Sequence, residues 1–200
     1  MRRAVPTLFS YVVDHDYGFA PNPYRGYCTL VHCKFGGERG RQNIVEMAKV
    51  GDWIVGTGGR SKKSSGGGTL LYLMRVDEKL LFHDFLTDKR FRGRSDSRDL
   101  GSGNKFALIS RKYFYFGGKA LKISDLPREL AGKGLVKKGP GLRRDYPAKT
   151  LKVLVRWFES RFAAGMHGDP CTVGRVDLRL GGQRIAKEKT SGNDRSRGCI

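Results

Sequence analysis

Short runs of aliphatic, aromatic and β-branched residues recur along the chain and predict a protein built mainly from strands. Each run has the length of a strand and ends at glycine, proline or charged residues. The runs cover residues 7–13, 28–33, 53–57, 69–76, 106–109 and 113–116. The run at 69–76 is apolar at nearly every position, so we expect this strand to be buried on both faces.

Helical patterns are fewer. Asn43 followed by Glu46 forms a capping pair that predicts a short helix over residues 44–49. Apolar residues at helical spacing predict a second short helix within 81–91. A long C-terminal helix is predicted over 147–162, where one apolar stripe forms behind a proline in the first turn. That stripe comprises Leu151, Leu154, Val155, Phe158 and Phe162.

These elements predict an α+β fold in one domain. Short strands suit a small, curved, mixed or antiparallel sheet or a barrel, with short inserted helices and the long C-terminal helix. We expect the domain to cover residues 1–171. Residues 172–200 are rich in Arg, Lys and Gly and predict a basic, flexible tail, with one edge strand allowed at 173–180.

The charge of the chain points to a polyanionic partner. The 39 Lys and Arg residues outnumber the 19 Asp and Glu residues, giving a formal net charge of +20. Such a field attracts nucleic acid and speeds its encounter with the protein. We expect no membrane partner, because there is neither an amphipathic basic helix nor an apolar segment long enough to span. The N-terminal apolar run is too short for a secretory signal, so we expect a cytoplasmic protein.

A loop with two prolines at residues 17–24 is the first candidate site. Its prolines restrict the backbone and exclude a helix or a central strand. Phe19 could stack on a base, Asn22 could pair with a base edge, and Asp14 could accept from an amino group. The same residues also suit a tight turn in which asparagine bonds its own backbone.

A glycine-, serine- and lysine-rich loop at residues 58–68 is the second candidate. Its spacing matches neither a P-loop nor a dinucleotide fingerprint. Its cations, Arg60, Lys62 and Lys63, suit backbone phosphates, as do Arg143 and Arg144 in a second basic loop at 133–144. We expect further phosphate contacts from the basic residues of 89–98. Trp53, at the start of a strand, is a core residue or a stacking platform.

The candidates for acid, base or nucleophile are Asp14, Cys28, His167 and Asp169. His167 and Asp169 also suit a turn that ends at Pro170. The chain has four cysteines, too few for a disulfide scaffold, and we expect thiols. A zinc site is not expected, because the four residues between Cys28 and Cys33 would separate these two in a strand. We expect no metal and no cofactor.

Several motifs together resemble the nucleotide modification associated domain 2 family, whose members are described as DNA base hypermodification proteins. The most specific block is Gly-Phe-Ala-Pro-Asn-Pro at 18–23 followed by Cys-Thr-Leu at 28–30; the resemblance covers residues 7–171. The supporting motifs are Ser-Tyr-Val-Val-Asp at 10–14, Cys-Lys at 33–34, Gly-Asp-Trp at 51–53, Gly-Thr-Gly at 56–58, Phe-Tyr-Phe-Gly-Gly at 114–118 and His-Gly-Asp-Pro at 167–170. Phe35, in place of an expected proline, and the basic stretch at 36–42 depart from the pattern.

The Gly-Asp-Trp strand, the glycine loop and the long strand that follows also resemble the core of the barrels of pseudouridine synthase and archaeosine transglycosylase (PUA-like) domains, which read a base in a pocket. The resemblance also implies that the pocket is lined by Asp14, Phe19, Asn22 and Trp53 together with four further motif residues. These four are Tyr11, Thr29, Lys34 and Thr57.

The predicted function is a nucleic-acid-binding domain that recognises a modified base or nucleotide, on DNA rather than RNA. It could act beside a DNA-modification or restriction enzyme. Two alternatives stay open: an enzyme that installs or alters a modification, and a sequence-blind basic RNA-binding protein.

Overall fold

The computed structural model describes residues 5–31, 43–97, 104–130, 134–135 and 141–172. Within these ranges the chain forms an α+β fold of eleven strands in two sheets, with three α-helices. The strands are β1 (Leu8–Val13), β2 (Asn22–Tyr24), β3 (Tyr27–Leu30), β4 (Trp53–Gly58), β5 (Thr69–Arg75), β6 (Glu78–Leu81), β7 (Phe106–Ser110), β8 (Tyr113–Tyr115), β9 (Leu121–Lys122), β10 (Leu142–Arg143) and β11 (Gly165–Met166). The helices are α1 (Ile44–Met47), α2 (Phe82–Thr87) and α3 (Ala148–Glu159).

The larger sheet has the order β10-β1-β4-β5-β8-β11, with β9 paired to β5. β1 and β4 are parallel, and Val13 at the end of β1 pairs with Gly58 at the end of β4. β5 runs antiparallel to β4 and to β8, and β11 runs parallel to β8. The strands β1, β4, β8 and β11 therefore all end at the same edge of the sheet.

The larger sheet is buried on both faces because its strands alternate between two apolar clusters. Phe9, Ile54 and Met74 belong to the cluster between the two sheets. Val55 and Leu73 belong to the cluster under α3, together with that helix's Leu151, Leu154 and Phe158. This double burial explains the nearly continuous apolar character of β5, whose central residues are all buried, and confirms the prediction for that strand.

The smaller sheet has the order β2-β3-β7-β6. Its inner side contributes Cys28, Leu30 and Leu108 to the cluster between the sheets. Its outer side is covered by Phe85 of α2 and by Phe91 in a single turn of 3-10 helix, Lys89–Phe91.

The predicted strands are found in the described residues, and most bounds differ by one or two residues. The cap is also confirmed, since the Asn43 side chain accepts from the Val45 amide at 2.8 Å. Residues 22–24 form β2 instead of loop. Pro23 is tolerated there because β2 is at the edge of its sheet, where a missing amide donor breaks no ladder. The predicted helix within 81–91 is instead the end of β6, then α2 and the 3-10 turn.

Two parts of the predicted fold class are wrong for the described residues. Their strands form two open sheets and no closed barrel, since β10 and β11 are the edge strands of the larger one. The helix predicted over 147–162 has only 12 residues, Ala148–Glu159, and the chain continues to β11. Phe162 fits the helical stripe but lies in the turn beyond the helix, where its ring packs 5.0 Å from that of Phe116. The edge strand predicted at 173–180 lies outside the described residues.

Candidate functional site

The common direction of β1, β4, β8 and β11 brings their following loops together. We call this group of loops the loop edge. It consists of residues 14–21, 59–68, 116–120 and 167–172. Backbone hydrogen bonds join the loops: the Asp16 amide donates to the Lys63 carbonyl at 2.9 Å, and the Thr172 amide donates to the Asp16 carbonyl at 3.0 Å. Crevices at the carboxyl ends of neighbouring parallel strands are frequent ligand sites, so the loop edge is a candidate functional site.

A buried carboxylate forms the floor of the loop edge. Asp16 is 1% exposed, and its two carboxylate oxygens accept from the Tyr115 hydroxyl at 2.7 and 2.8 Å. Two amides complete its shell: Gly18 donates at 3.2 Å and Cys171 at 3.0 Å. Because these donors come from three different loops or strand ends, Asp16 fixes the loops relative to one another.

The burial that holds Asp16 also affects the groups around it. Burial and the neighbouring Asp16 raise the pKa of the Tyr115 hydroxyl, which therefore stays a donor. Burial raises the pKa of the Cys171 thiol to about 12, with Asp16 as a further cause. Burial also raises the pKa of the Cys28 thiol. Neither thiol is a thiolate at neutral pH, the form that a cysteine nucleophile needs.

The cationic loop 59–68 is tied to the end of β1. The Ser64 hydroxyl donates to the Val13 carbonyl at 2.6 Å and accepts from the Gly59 amide at 2.8 Å. The Ser61 amide donates to the Asp14 carboxylate at 3.3 Å. These bonds close the loop backbone on itself, while its three cationic side chains are presented outward. Arg60, Lys62 and Lys63 are all exposed.

Aromatic rings lie beside these cations. The His15 and Tyr17 rings are stacked, with centroids 6.1 Å apart and an interplanar angle of 12°. The Lys63 ammonium nitrogen is 5.7 Å from the Tyr17 ring centroid. Phe19, in the same loop, is half-buried. The loop edge therefore combines ring faces with positive charge, the chemistry that proteins use against nucleotide bases and phosphates.

Glycine is required at one point of this arrangement. Gly18 has a φ of +65°, and a Cβ there would lie 2.6 Å from Cγ of Pro170. The close approach joins the aromatic loop to the loop that follows β11. The Gly-Phe-Ala-Pro sequence and the distant His-Gly-Asp-Pro sequence are therefore in contact in the folded chain.

The model of one protein family, described as nucleotide modification associated domain 2, matches residues 5–105 and 94–176. The chain belongs to this family. The match confirms the resemblance found in the sequence motifs and includes all four loops of the loop edge. No curated protein matches the chain. No solved structure matches it either.

Other predicted site residues of this nucleotide modification associated domain lie in its interior. Tyr11 and Cys28 are buried between the sheets, and the Tyr11 hydroxyl accepts from the Tyr72 hydroxyl at 2.8 Å. Thr57 is fully buried, and its hydroxyl donates to the Tyr11 carbonyl at 3.2 Å. Trp53 is 6% exposed and packs in the cluster under α3. These four residues are buried in the core and do not belong to the loop edge, and Lys34 lies outside the described residues.

Asn22 and Thr29 belong to a second buried polar network, within the smaller sheet. The Arg94 guanidinium donates to the Asn22 carbonyl at 2.6 Å and to the Thr29 hydroxyl at 2.8 Å. The Thr29 hydroxyl donates in turn to Asp96, which also pairs with Arg94 at 3.3 Å. The Asn22 side chain donates to the Ser95 hydroxyl at 3.1 Å. This network holds the 94–97 turn against β2 and β3.

The remaining predicted residues divide between the loop edge and other surfaces. The His167 ring stacks on Phe116 with centroids 4.9 Å apart, and its Nε2 is 2.8 Å from the Ala163 carbonyl oxygen. Asp169 is exposed. Arg143 pairs with Asp145 at 2.6 Å. It lies beside Ser10 in the middle of β1 and so away from the loop edge, and Arg144 is the next residue in the chain.

Two buried pairs are not indicated by the sequence: Asp16 with Tyr115, and Arg94 with Asp96. Asp16 and Tyr115 are 99 positions apart, so no local spacing relates them. Among the described residues no group of three or more His, Cys, Asp and Glu side chains could hold a metal ion. No described helix is long and apolar enough to cross a membrane.

Proposed function

We propose that this nucleotide modification associated domain binds nucleic acid at the loop edge and recognises a modified base there. The observation that carries the proposal is the meeting of the aromatic loop 14–21 with the cationic loop 59–68 over one buried carboxylate. The family description relates the chain to nucleotide modification. We propose DNA as the nucleic acid, beside a modifying or restriction enzyme, because the motif resemblance implies that setting. We also propose a cytoplasmic location.

The phosphate contacts are assigned to Arg60, Lys62 and Lys63. Their loop contains no acidic residue, and its backbone is already ordered by hydrogen bonds to β1. A cationic loop that is ordered before binding loses little conformational entropy when a phosphate arrives. These contacts supply affinity that depends on salt but not on sequence.

The base contacts are assigned to Tyr17 and Phe19, with Asp14 as an acceptor for an exocyclic amino group. The Asp14 side chain is 55% exposed, so it can meet a ligand. Stacking on such rings contributes about 1–3 kcal/mol per base and tolerates different bases.

A reader is favoured over a thiol-dependent enzyme. Cys28 is fully buried, and burial keeps the pKa values of both described thiols above the range in which a thiolate forms at neutral pH. We expect Cys28 to resist a thiol reagent at pH 7 until the protein is unfolded. Rapid labelling of folded protein at Cys28 would reopen the enzymatic alternative.

The proposal is tested by titrating the protein with matched oligonucleotides that contain or lack modified bases, at low and raised salt. We expect a preference for a modified base that persists when salt weakens overall affinity. Equal binding of all ligands that disappears with salt would contradict recognition of a base. If RNA and DNA also bound equally, that result would favour the alternative of a sequence-blind RNA-binding protein.

Two variants separate the assigned roles. Lys62→Gln with Lys63→Gln should weaken every ligand and lower the slope of log affinity against log salt by about 0.7–0.9 per lost contact. Lys149→Gln with Lys152→Gln is the matched control, because both lysines are exposed on α3. Phe19→Leu should reduce affinity while leaving the salt slope unchanged. Identical slopes in the two double variants would contradict the phosphate assignment.

A further inference from the structure

The β2–β3 hairpin has an arginine in a conformation that arginine rarely adopts. Tyr24 ends β2 and Tyr27 begins β3, so the turn consists of Arg25 and Gly26 alone. Both have positive φ, +49° and +76°, which is the pattern of a type I′ turn. Asparagine, aspartate or glycine normally occupies the first of these positions, because a larger side chain is strained there. The strain indicates that the Arg25 guanidinium serves something other than folding.

The ring next to this arginine is exposed but held in place. Tyr24 is 43% exposed, with the Arg25 guanidinium carbon 5.0 Å from its ring centroid. The buried Arg94 supports it from the protein side, 5.6 Å from the same centroid, and donates to the Tyr24 carbonyl at 2.6 Å. The result is a rigid aromatic face with a cation beside it.

A second arginine extends this surface. The Arg111 guanidinium lies 5.5 Å from the Tyr27 ring centroid, and its side chain is 62% exposed. Arg111 also lies 3.5 Å from Glu78, which forms its shorter ion pair, 2.8 Å, with Arg90. Glu78 therefore pairs mainly with Arg90, and the exposed Arg111 guanidinium remains a surface cation. We call Tyr24, Arg25, Tyr27 and Arg111 the hairpin surface.

We propose that the hairpin surface binds a single-stranded stretch of nucleic acid next to the base held at the loop edge. This inference rests on the proposed function, because it supplies the contact for the flanking strand. Single strands are bound by exposed ring faces on which bases stack and by adjacent cations that meet the phosphates. The loop 14–21 leads directly into β2, whose three residues span about 10 Å, so a strand leaving the loop edge can follow β2 to the hairpin.

The test uses Arg25→Asn in the full chain, because asparagine removes the charge and fits the positive φ. Its melting temperature should therefore equal or exceed that of the wild type. Its affinity for a 16-nucleotide oligothymidylate should fall about tenfold at low salt, while its affinity for thymidine monophosphate should not change. Arg128→Asn is the matched control, since Arg128 is exposed beside the apolar cluster on the far face of the larger sheet.

A second variant tests the ring without altering charge. Tyr24→Leu should weaken the oligothymidylate severalfold and leave the slope against salt unchanged. The proposal for the hairpin surface would be overturned if Arg25→Asn bound the oligothymidylate as tightly as the wild type does. It would also be overturned if Arg128→Asn lost as much affinity as Arg25→Asn. Loss of duplex binding as large as the loss of single-strand binding would also overturn it.

The two proposals fail in different ways. If the protein binds neither thymidine monophosphate nor a modified nucleotide, the loop edge is contradicted. A loss of oligothymidylate binding in Arg25→Asn would then still support the hairpin surface.

Discussion

Removing the Tyr115 hydroxyl tests whether the buried Asp16 holds the loop edge together. Tyr115→Phe deletes one oxygen from a fully buried ring and leaves no cavity large enough for a methyl group. Asp16 then keeps two hydrogen-bond donors, the amides of Gly18 and Cys171, at 3.2 and 3.0 Å. A hydrogen bond to a buried charged group contributes about 1.5–3 kcal/mol, so we expect the free energy of unfolding to fall by about 2–3 kcal/mol.

A matched control is provided by a second tyrosine in the same sheet. Tyr72 is also fully buried, and its hydroxyl donates to a neutral group, the Tyr11 hydroxyl, at 2.8 Å. Tyr72→Phe should therefore cost only about 1 kcal/mol. For a domain of this size, 1 kcal/mol corresponds to about 2–4 °C in melting temperature. Both variants can be compared by urea unfolding and by thermal scans at pH 7.

The comparison also reports on function. Because Asp16 joins three parts of the loop edge, Tyr115→Phe should weaken nucleotide binding more than Tyr72→Phe does, even at temperatures where both variants are folded. If Tyr115→Phe costs no more than Tyr72→Phe, the hydrogen bonds to Asp16 do not carry the stability assigned to them. Contacts other than those to Asp16 would then have to hold the four loops of the loop edge together.

Three further predictions concern the core around this site. Burial raises the pKa of Tyr113 to about 12 from 10.0, so unfolded protein ionises first and the free energy of unfolding should fall as pH rises from about 10 to 12. The fall should be less steep in Tyr113→Phe. Denaturant titrations at pH 9 and 11 measure how much unfolding free energy each protein loses between these pH values, and an equal loss in the wild type and in Tyr113→Phe would contradict this prediction. Gly56→Ala would place a Cβ 2.2 Å from Cε1 of Tyr72 and should cost about 1–3 kcal/mol in urea unfolding; an unchanged midpoint would refute the clash. Arg94→Met removes the buried ion pair between Arg94 and Asp96 and should cost about 3–5 kcal/mol, part of which Asp96→Leu should restore in the double variant. A double variant less stable than Arg94→Met would argue against that account.

Part of the candidate site could be predicted from the sequence because it depends on local composition. Loop 59–68 is recognisable by its lysines and glycines, and loop 14–21 by its aromatic residues and its proline. The carboxylate that joins them could not be found in this way. Asp16 lies in a polar stretch that looks the same whether it faces solvent or the core, and Tyr115 appears only as one more apolar strand residue.

The same limit applies to Asn22. Its sequence context, between two prolines in an aromatic loop, suggests a side chain that waits for a ligand. In the folded chain it starts an edge strand, and its side chain meets Ser95, 73 positions away. No pattern within the loop reveals that partner, because the contact forms only when the 94–97 turn folds onto the smaller sheet.

Local patterns and composition are enough to predict six of the eleven described strands, the double burial of β5, the excess of positive charge and the family. These features depend on which residue types occur close together in the chain. Only the folded chain shows that its described strands form two open sheets, that four loops meet at one edge and that Asp16 is buried among them. Those outcomes depend on pairing between distant strands, such as β1 beside β4, and on the direction in which each strand enters its sheet. Local patterns specify neither, because the free energy that selects one pairing comes from contacts made only after the chain has folded.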